Sequence, residues 1–254
     1  MKLPPLLLLL LLLLLAPAPA LLSTPAALSA DDAATPARLH LVVPCYNEAQ
    51  RLPADEYVAY ASARPEIEFT FVDDGSTDTT LEVLESLSQR LPGQLHVLSL
   101  PQNRGKAEAT RTGLQAAATA DHPADLVGFW DADLATPLAA VDEFAATLAE
   151  RPTIEMVFGA RVALLGRHIN RLPSRHYLGR IFATLASTVL SLRIYDTQCG
   201  AKIFRNSAAF RRVMAEPFES PWIFDGEFFS LAPLSLWFLL LNSTAGDRRV
   251  RGCF

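Results

Sequence analysis

Short apolar runs alternate with amphipathic stretches through the middle of the chain, and the two periods separate strands from helices. Leu39–Val43, Glu68–Val72, Leu95–Leu98, Leu126–Trp130 and Met156–Phe158 are brief, apolar and rich in β-branched or aromatic residues, which predicts strands. Between them, Asp55–Ala63, Thr79–Arg90, Lys106–Ala120 and Leu138–Glu150 repeat their apolar positions at helical spacing. Strand–helix alternation of this kind predicts an α/β fold: a Rossmann-like, mostly parallel sheet flanked by helices, with right-handed crossovers. In such sheets ligands bind beyond the carboxyl ends of the strands.

Three stretches depart from the pattern. Leu6–Leu15 is unbroken leucine, preceded by Lys2 and followed by alanines and prolines up to Ala30. Residues 1–30 are therefore expected to be either a cleaved signal peptide or a retained signal anchor. Residues 31–38 form a Pro/Ala/Asp-rich linker, and the folded domain is expected over 39–229. Tyr177–Leu192 reads as a long apolar helix, packed in the core or lying in a membrane interface. After Phe229 the sequence Ser230–Leu241 is again apolar, and 230–254 is expected as an atypical tail, with an apolar closing helix or an incomplete ending as the alternatives.

At 254 residues the chain has the length of one large α/β domain or two small ones. Its net charge of −5, with no cluster of Lys and Arg, excludes wholesale nucleic-acid binding. The three cysteines, Cys45, Cys199 and Cys253, are odd in number and lack metal-ligand spacing, which fits a reducing compartment rather than a disulfide framework.

The polar motifs all fall where predicted strands end. Pro44-Cys45-Tyr46-Asn47-Glu48 follows the first, and its proline cannot continue a ladder; Tyr46 could flank a base and Glu48 reach a ribose or uracil edge. Asp73-Asp74-Gly75-Ser76-Thr77-Asp78 follows the second. Its glycine permits a tight bend and Ser76, Thr77 or Asp78 can cap the next helix. Asp73 and Asp74 exceed what capping needs, and are expected to accept hydrogen bonds from a base or ribose.

Asn103-Arg104-Gly105-Lys106 opens the third helix, where backbone N–H groups and the helix dipole favour anions. A diphosphate clamp by Arg104 and Lys106 and a solvated helix start are both open readings. Asp131-Ala132-Asp133 ends the fourth strand. Residues i and i+2 of a strand point the same way, so both carboxylates are expected to face one hard Mg²⁺ or Mn²⁺ ion that also bridges a diphosphate.

Taken together and in this order, Val-Pro-Cys-Tyr-Asn-Glu, Val-Asp-Asp-Gly-Ser-Thr-Asp, Asn-Arg-Gly-Lys and Asp-Ala-Asp resemble the family 2 glycosyltransferases of the GT-A fold. A second set, Gly159-Ala160-Arg161, Asp196–Arg205 and Trp222–Glu227, resembles the branch that glycosylates polyprenyl phosphates, the dolichyl-phosphate β-glucosyltransferases above all. Ala135, which cannot join a metal shell, resembles the glucosyl rather than the mannosyl relatives.

The resemblance implies an inverting, metal-dependent transfer of glucose from UDP-glucose to dolichyl (polyprenyl) phosphate. It places Glu48 and Asp74 at the uridine, and Asp131 and Asp133 on the metal. Asp133, Asp225, Glu227 and Lys202 are implied near the reacting groups, and Arg161, Arg175, Lys202 and Arg205 at the acceptor phosphate. It implies action at the endoplasmic reticulum membrane, with the catalytic domain on the cytosolic face. Transfer of mannose or another sugar, and a nucleotide-sugar-binding form without activity, are the alternatives.

Overall fold

The computed structural model describes residues 37–120, 123–160, 199–220, 224, 237–242 and 251–252. The leader, the linker up to residue 36, Tyr177–Leu192, and the expected site residues Arg161, Arg175, Asp225 and Glu227 lie outside the described residues.

The described elements follow the predicted alternation: β1 (Leu39–Cys45), α1 (Ala54–Ser62), β2 (Ile67–Asp73), α2 (Thr80–Arg90), β3 (Leu95–Ser99), α3 (Lys106–Thr119), β4 (Leu126–Trp130), α4 (Ala139–Glu150) and β5 (Ile154–Ala160). Then come β6 (Ala201–Arg205), α5 (Ala208–Ala215), β7 (Trp237–Asn242) and β8 (Arg251–Gly252). Among the described residues no helix is long and apolar enough to cross a membrane.

The strands form one sheet in the order β3-β2-β1-β4-β6-β5-β7-β8. β3, β2, β1 and β4 are parallel neighbours. β6 runs antiparallel between β4 and β5, so the sheet is mixed at that point. β5 therefore ends, and β6 begins, at the edge where β4 ends.

Helices cover both faces, which is why the central strands carry apolar residues on both sides of the sheet. On one face Leu41, Val43, Phe69 and Phe71 pack with Tyr57 of α1, Leu84 of α2 and Phe144 of α4. On the other, Val42, Val72, Phe129 and Phe158 pack with Leu114 of α3 and with Phe210 and Met214 of α5.

Two expectations need correction. β4 stops at Trp130, and Ala132 and Asp133 lie in a turn in which Leu134 takes φ +50°. The alternation of a strand therefore does not govern Asp131 and Asp133. At the other end, Trp237–Asn242 is not helical: it is a strand, parallel to β5 from Ile154↔Trp237 to Ala160↔Asn242. A short apolar run hydrogen-bonded on both sides, to β5 and β8, satisfies its backbone as a strand.

Candidate functional site

The strand order reverses between β1 and β4: the chain leaves β1 toward β2 and β3, then returns to the other side of β1 as β4. The loops after β1 and β4 thus diverge and leave a crevice at the sheet edge. Glu48 comes from one side of it and Asp131 from the other.

Three loops are tied into one unit along this edge. Asn47, at φ +54°, accepts the Thr77 N–H on its Oδ1 at 2.9 Å, while its own N–H donates to Ser76 Oγ at 3.0 Å. Thr80 Oγ1 accepts the N–H groups of Glu48 (2.8 Å) and Ala49 (3.0 Å) and donates to Asp78 Oδ1 at 2.5 Å. Gly75, at φ +63°, lies against the next loop, and a Cβ there would fall 2.5 Å from the Gln102 carbonyl carbon.

Asp74 has a different task from the expected base or ribose contact. It is almost wholly buried, and its two carboxylate oxygens accept the N–H groups of Arg104 and Gly105, each at 2.8 Å. Burial raises its pKa, the two N–H bonds pull it down, and Asp73 and Glu108 push it further up. Asp74 thereby fixes the loop that starts α3. Asp73 is equally buried and holds its own turn, accepting from Ser76 N at 3.2 Å and Ser99 Oγ at 3.4 Å.

Asp131 is held from three directions. Its N–H donates to the Gly200 carbonyl at 2.9 Å. Its carboxylate lies against the Gly200 backbone so closely that a Cβ on that residue would fall 1.9 Å from Oδ2. Lys106 Nζ, from the first residue of α3, donates to Oδ1 at 2.5 Å. The Tyr57 hydroxyl lies below, 3.3 Å from the Asp131 carbonyl oxygen and 3.4 Å from that of Ala132. Asp133 is exposed, and its Oδ1 accepts the Ala135 N–H at 3.1 Å.

Glu48 faces the same crevice. Arg51 donates to its Oε1 at 2.5 Å, while its buried Oε2 has no hydrogen-bond partner among the described residues. Burial raises its pKa against the Arg51 guanidinium, and the charges of Asp133 and Asp78 raise it further. A buried acceptor left unsatisfied is costly, and a hydroxyl or N–H donor from a ligand would satisfy it.

Lys202 is fully enclosed. Its Nζ donates to the Cys199 carbonyl at 2.7 Å and lies 5.1 Å from the centroid of the Phe129 ring. Its task in the described residues is to brace the Cys199-Gly200 turn that backs Asp131, not to present a surface cation. Arg205 does not join the site. It pairs with Leu126 at the start of β4, whereas Ala201 pairs with Trp130 at its end. The guanidinium there serves carbonyls, those of Ile154 (2.8 Å), Arg151 (3.2 Å) and Leu148.

Of the other expected residues, Pro44 does not stop its strand as expected but lies within β1, opposite Val72, with Cys45 as the last residue, and Tyr46 just beyond is exposed. Arg104 is exposed and lies 3.7 Å from Glu108. Cys45 and Cys199 are both buried. The sequence reading did not single out Gly200, Tyr57, Arg51 or Thr80. A glycine inside the Asp196–Arg205 motif was the available signal for Gly200.

Asp131 and Asp133 supply hard oxygen donors, as a divalent ion requires. Among the described residues no group of three His, Cys, Asp or Glu forms a metal cage. Mg²⁺ and its analogues are commonly held by one or two carboxylates plus a ligand's phosphates, so this incomplete donor set fits an ion shared with a diphosphate.

A mixed sheet of this order, helices on both faces and acidic loops over the β1/β4 crevice define a GT-A fold. The fold is shared with Staphylococcus aureus TarS residues 1–349, with a TM-score of 0.55 and 21% identity over 82% of this chain and 59% of that one. It is also shared with glucosyl-3-phosphoglycerate synthase from Mycobacterium tuberculosis, solved with Mn²⁺ and UDP-glucose, with a TM-score of 0.57 and 20% identity over 85% and 72%.

The chain belongs to glycosyl transferase family 2, whose profile matches residues 40–211. Its relatives include the dolichyl-phosphate beta-glucosyltransferases of Trichomonas vaginalis, 35% identical over 75% of this chain, and Homo sapiens, 32% identical over 77%. The chain spans 58% and 63% of the lengths of these two relatives.

Proposed function

We propose that this protein transfers glucose from UDP-glucose to dolichyl (polyprenyl) phosphate with inversion, using Mg²⁺ or Mn²⁺, at the cytosolic face of the endoplasmic reticulum membrane. The observation that carries this reading is the Asp131 carboxylate, lodged between the Gly200 backbone and the Lys106 ammonium at the β1/β4 crevice. The names of the relatives supply the substrate class.

In this reading Asp131 and Asp133 hold the ion, which when bound offsets the charge on the departing UDP. The chain's own groups do the rest of the positioning. Tyr46 offers an exposed ring for the uracil to stack on, and Glu48 Oε2 accepts from a uracil or ribose donor. Asp74 keeps the Arg104-Gly105 segment in place, so that the start of α3 and Lys106 meet the diphosphate.

The acceptor phosphate is already ionised, so attack on the anomeric carbon needs orientation more than a strong base. Arg161 and Arg175 are assigned to neutralising it, and Asp225 and Glu227 to orienting it. Lys202 acts one layer below, through Gly200.

The test is turnover by the full chain in lipid vesicles containing dolichyl phosphate, with labelled UDP-glucose. The expected result is a lipid-linked β-glucoside that EDTA abolishes and Mn²⁺ restores, with GDP-mannose a poor donor. Normal UDP binding without glucose transfer would overturn the reading, and preference for GDP-mannose would overturn the sugar.

A further inference from the structure

Lys106 stands at the first position of α3 and gives its ammonium to Asp131 Oδ1 at 2.5 Å, both side chains being partly exposed. The carboxylate that is the best placed metal ligand therefore already has a cation in contact. Gly200 backs that carboxylate on another side, so the directions from which a second cation can reach it are restricted. An ammonium and a dication sharing one carboxylate would repel each other strongly at contact separations.

We propose that Lys106 and the divalent ion are alternative partners of Asp131, and that Lys106 passes from Asp131 to the donor's phosphate oxygens as the ion arrives. The proposal rests on the metal-dependent reading above and deepens it: Lys106 becomes the residue that couples metal entry to donor capture. The side chain is suited to this. A lysine carries a compact charge on four flexible methylenes, so the ammonium can change partners while its backbone stays still.

The backbone is held still independently. Asp74 binds the N–H groups of Arg104 and Gly105, immediately before Lys106, so the start of α3 does not move when the ammonium does. The same helix start favours an anion through its N–H groups and dipole. Once the ion neutralises Asp131, the released ammonium faces a phosphate-rich ligand in a region already suited to negative charge.

The exchange makes two predictions of opposite sign for one substitution. Lys106→Met removes the competing charge and keeps most of the stem. Without donor, its Mn²⁺ affinity, read by electron paramagnetic resonance of the unbound ion, rises about tenfold or more, a modest share of the repulsion between neighbouring charges. At saturating Mn²⁺, its affinity for UDP-glucose, read by calorimetry, falls about tenfold or more, the loss of one charge-assisted phosphate contact. Lys106→Arg, which retains the cation, keeps Mn²⁺ affinity near that of the parent.

A Lys106→Met protein whose Mn²⁺ affinity is unchanged or weaker, while the parent binds Mn²⁺ and UDP-glucose together, overturns the exchange and leaves the metal-dependent reading standing. A parent that binds UDP-glucose equally well with and without Mn²⁺ overturns both. Should Lys106→Met fail to fold, Lys106→Gln is read in the same two titrations against the same two outcomes.

Discussion

The α-carbon of Gly200 lies directly against the carboxylate of Asp131, leaving no room for a side chain: a Cβ there would fall 1.9 Å from Oδ2 and 2.1 Å from Oδ1. The contact joins the start of β6 to the end of β4, two strands far apart in sequence. It sets where the carboxylate sits.

Gly200→Ala must therefore displace either the carboxylate or the turn. Misplacement of a catalytic group by about 1 Å can cost on the order of 100-fold in rate. We expect a loss of that order in glucose transfer, with weaker Mn²⁺ binding and a melting temperature close to that of the parent. Unchanged Mn²⁺ affinity in a folded Gly200→Ala protein would contradict this account of Asp131.

Asp74→Asn turns one of two acceptors into a donor facing an N–H group. A buried donor without an acceptor costs about 1–3 kcal/mol, so chemical denaturation should report a loss of that size. Because the loop it fixes starts α3, UDP affinity should fall as well. A variant destabilised but binding UDP as the parent does would confine Asp74 to a folding role.

Arg205 provides the contrast. Its guanidinium serves three backbone carbonyls at the opposite edge of the sheet. Arg205→Met should cost stability, about 1–3 kcal/mol for the stranded carbonyls, yet leave the KM for the lipid acceptor unchanged. A raised acceptor KM with unaltered stability would return Arg205 to the phosphate site.

The buried His40 makes stability depend on pH. Its Nε2 lies 2.7 Å from Thr70 Oγ1, and its Nδ1 is 3.8 Å from Glu68 Oε2, with His96 and Arg38 nearby. Burial lowers its pKa from 6.5 to about 4; Glu68 opposes the shift, and His96 and Arg38 add to it. As pH falls through 6.5 the unfolded chain takes up this proton first. The stabilisation is thus complete above pH 6.5 and lost as pH falls toward 4, up to about 3 kcal/mol in all. Urea denaturation across that window should show the loss, and His40→Gln should flatten it; parallel curves for the two proteins would contradict it.

The first nine elements were legible because each strand is a short, predominantly apolar run, such as Leu126–Trp130, bounded by polar loops. The motifs were legible as a set because those loops converge on one edge. What the sequence hid was long-range contact. β6 was read as a motif and not as a strand: its second position holds Lys202, whose charge obscures a strand buried over its first four residues. The pairing of Asp131 with Asp133 was inferred from strand alternation, which ends at Trp130. Asp74 looked like a ligand contact because nothing local shows that Arg104 and Gly105, thirty residues on, take both its oxygens.

The direction of β6 carries one more consequence. Since β5 finishes and β6 starts at the edge where Asp131 sits, the chain joining Ala160 to Cys199 departs from and returns to the mouth of the crevice. A linker between adjacent strands can be exchanged without redrawing the sheet. Under the proposed assignment of Arg161 and Arg175 to the acceptor phosphate, recipient preference would be separable from nucleotide recognition, and grafting that connection from a relative is expected to redirect the sugar while its source stays the same.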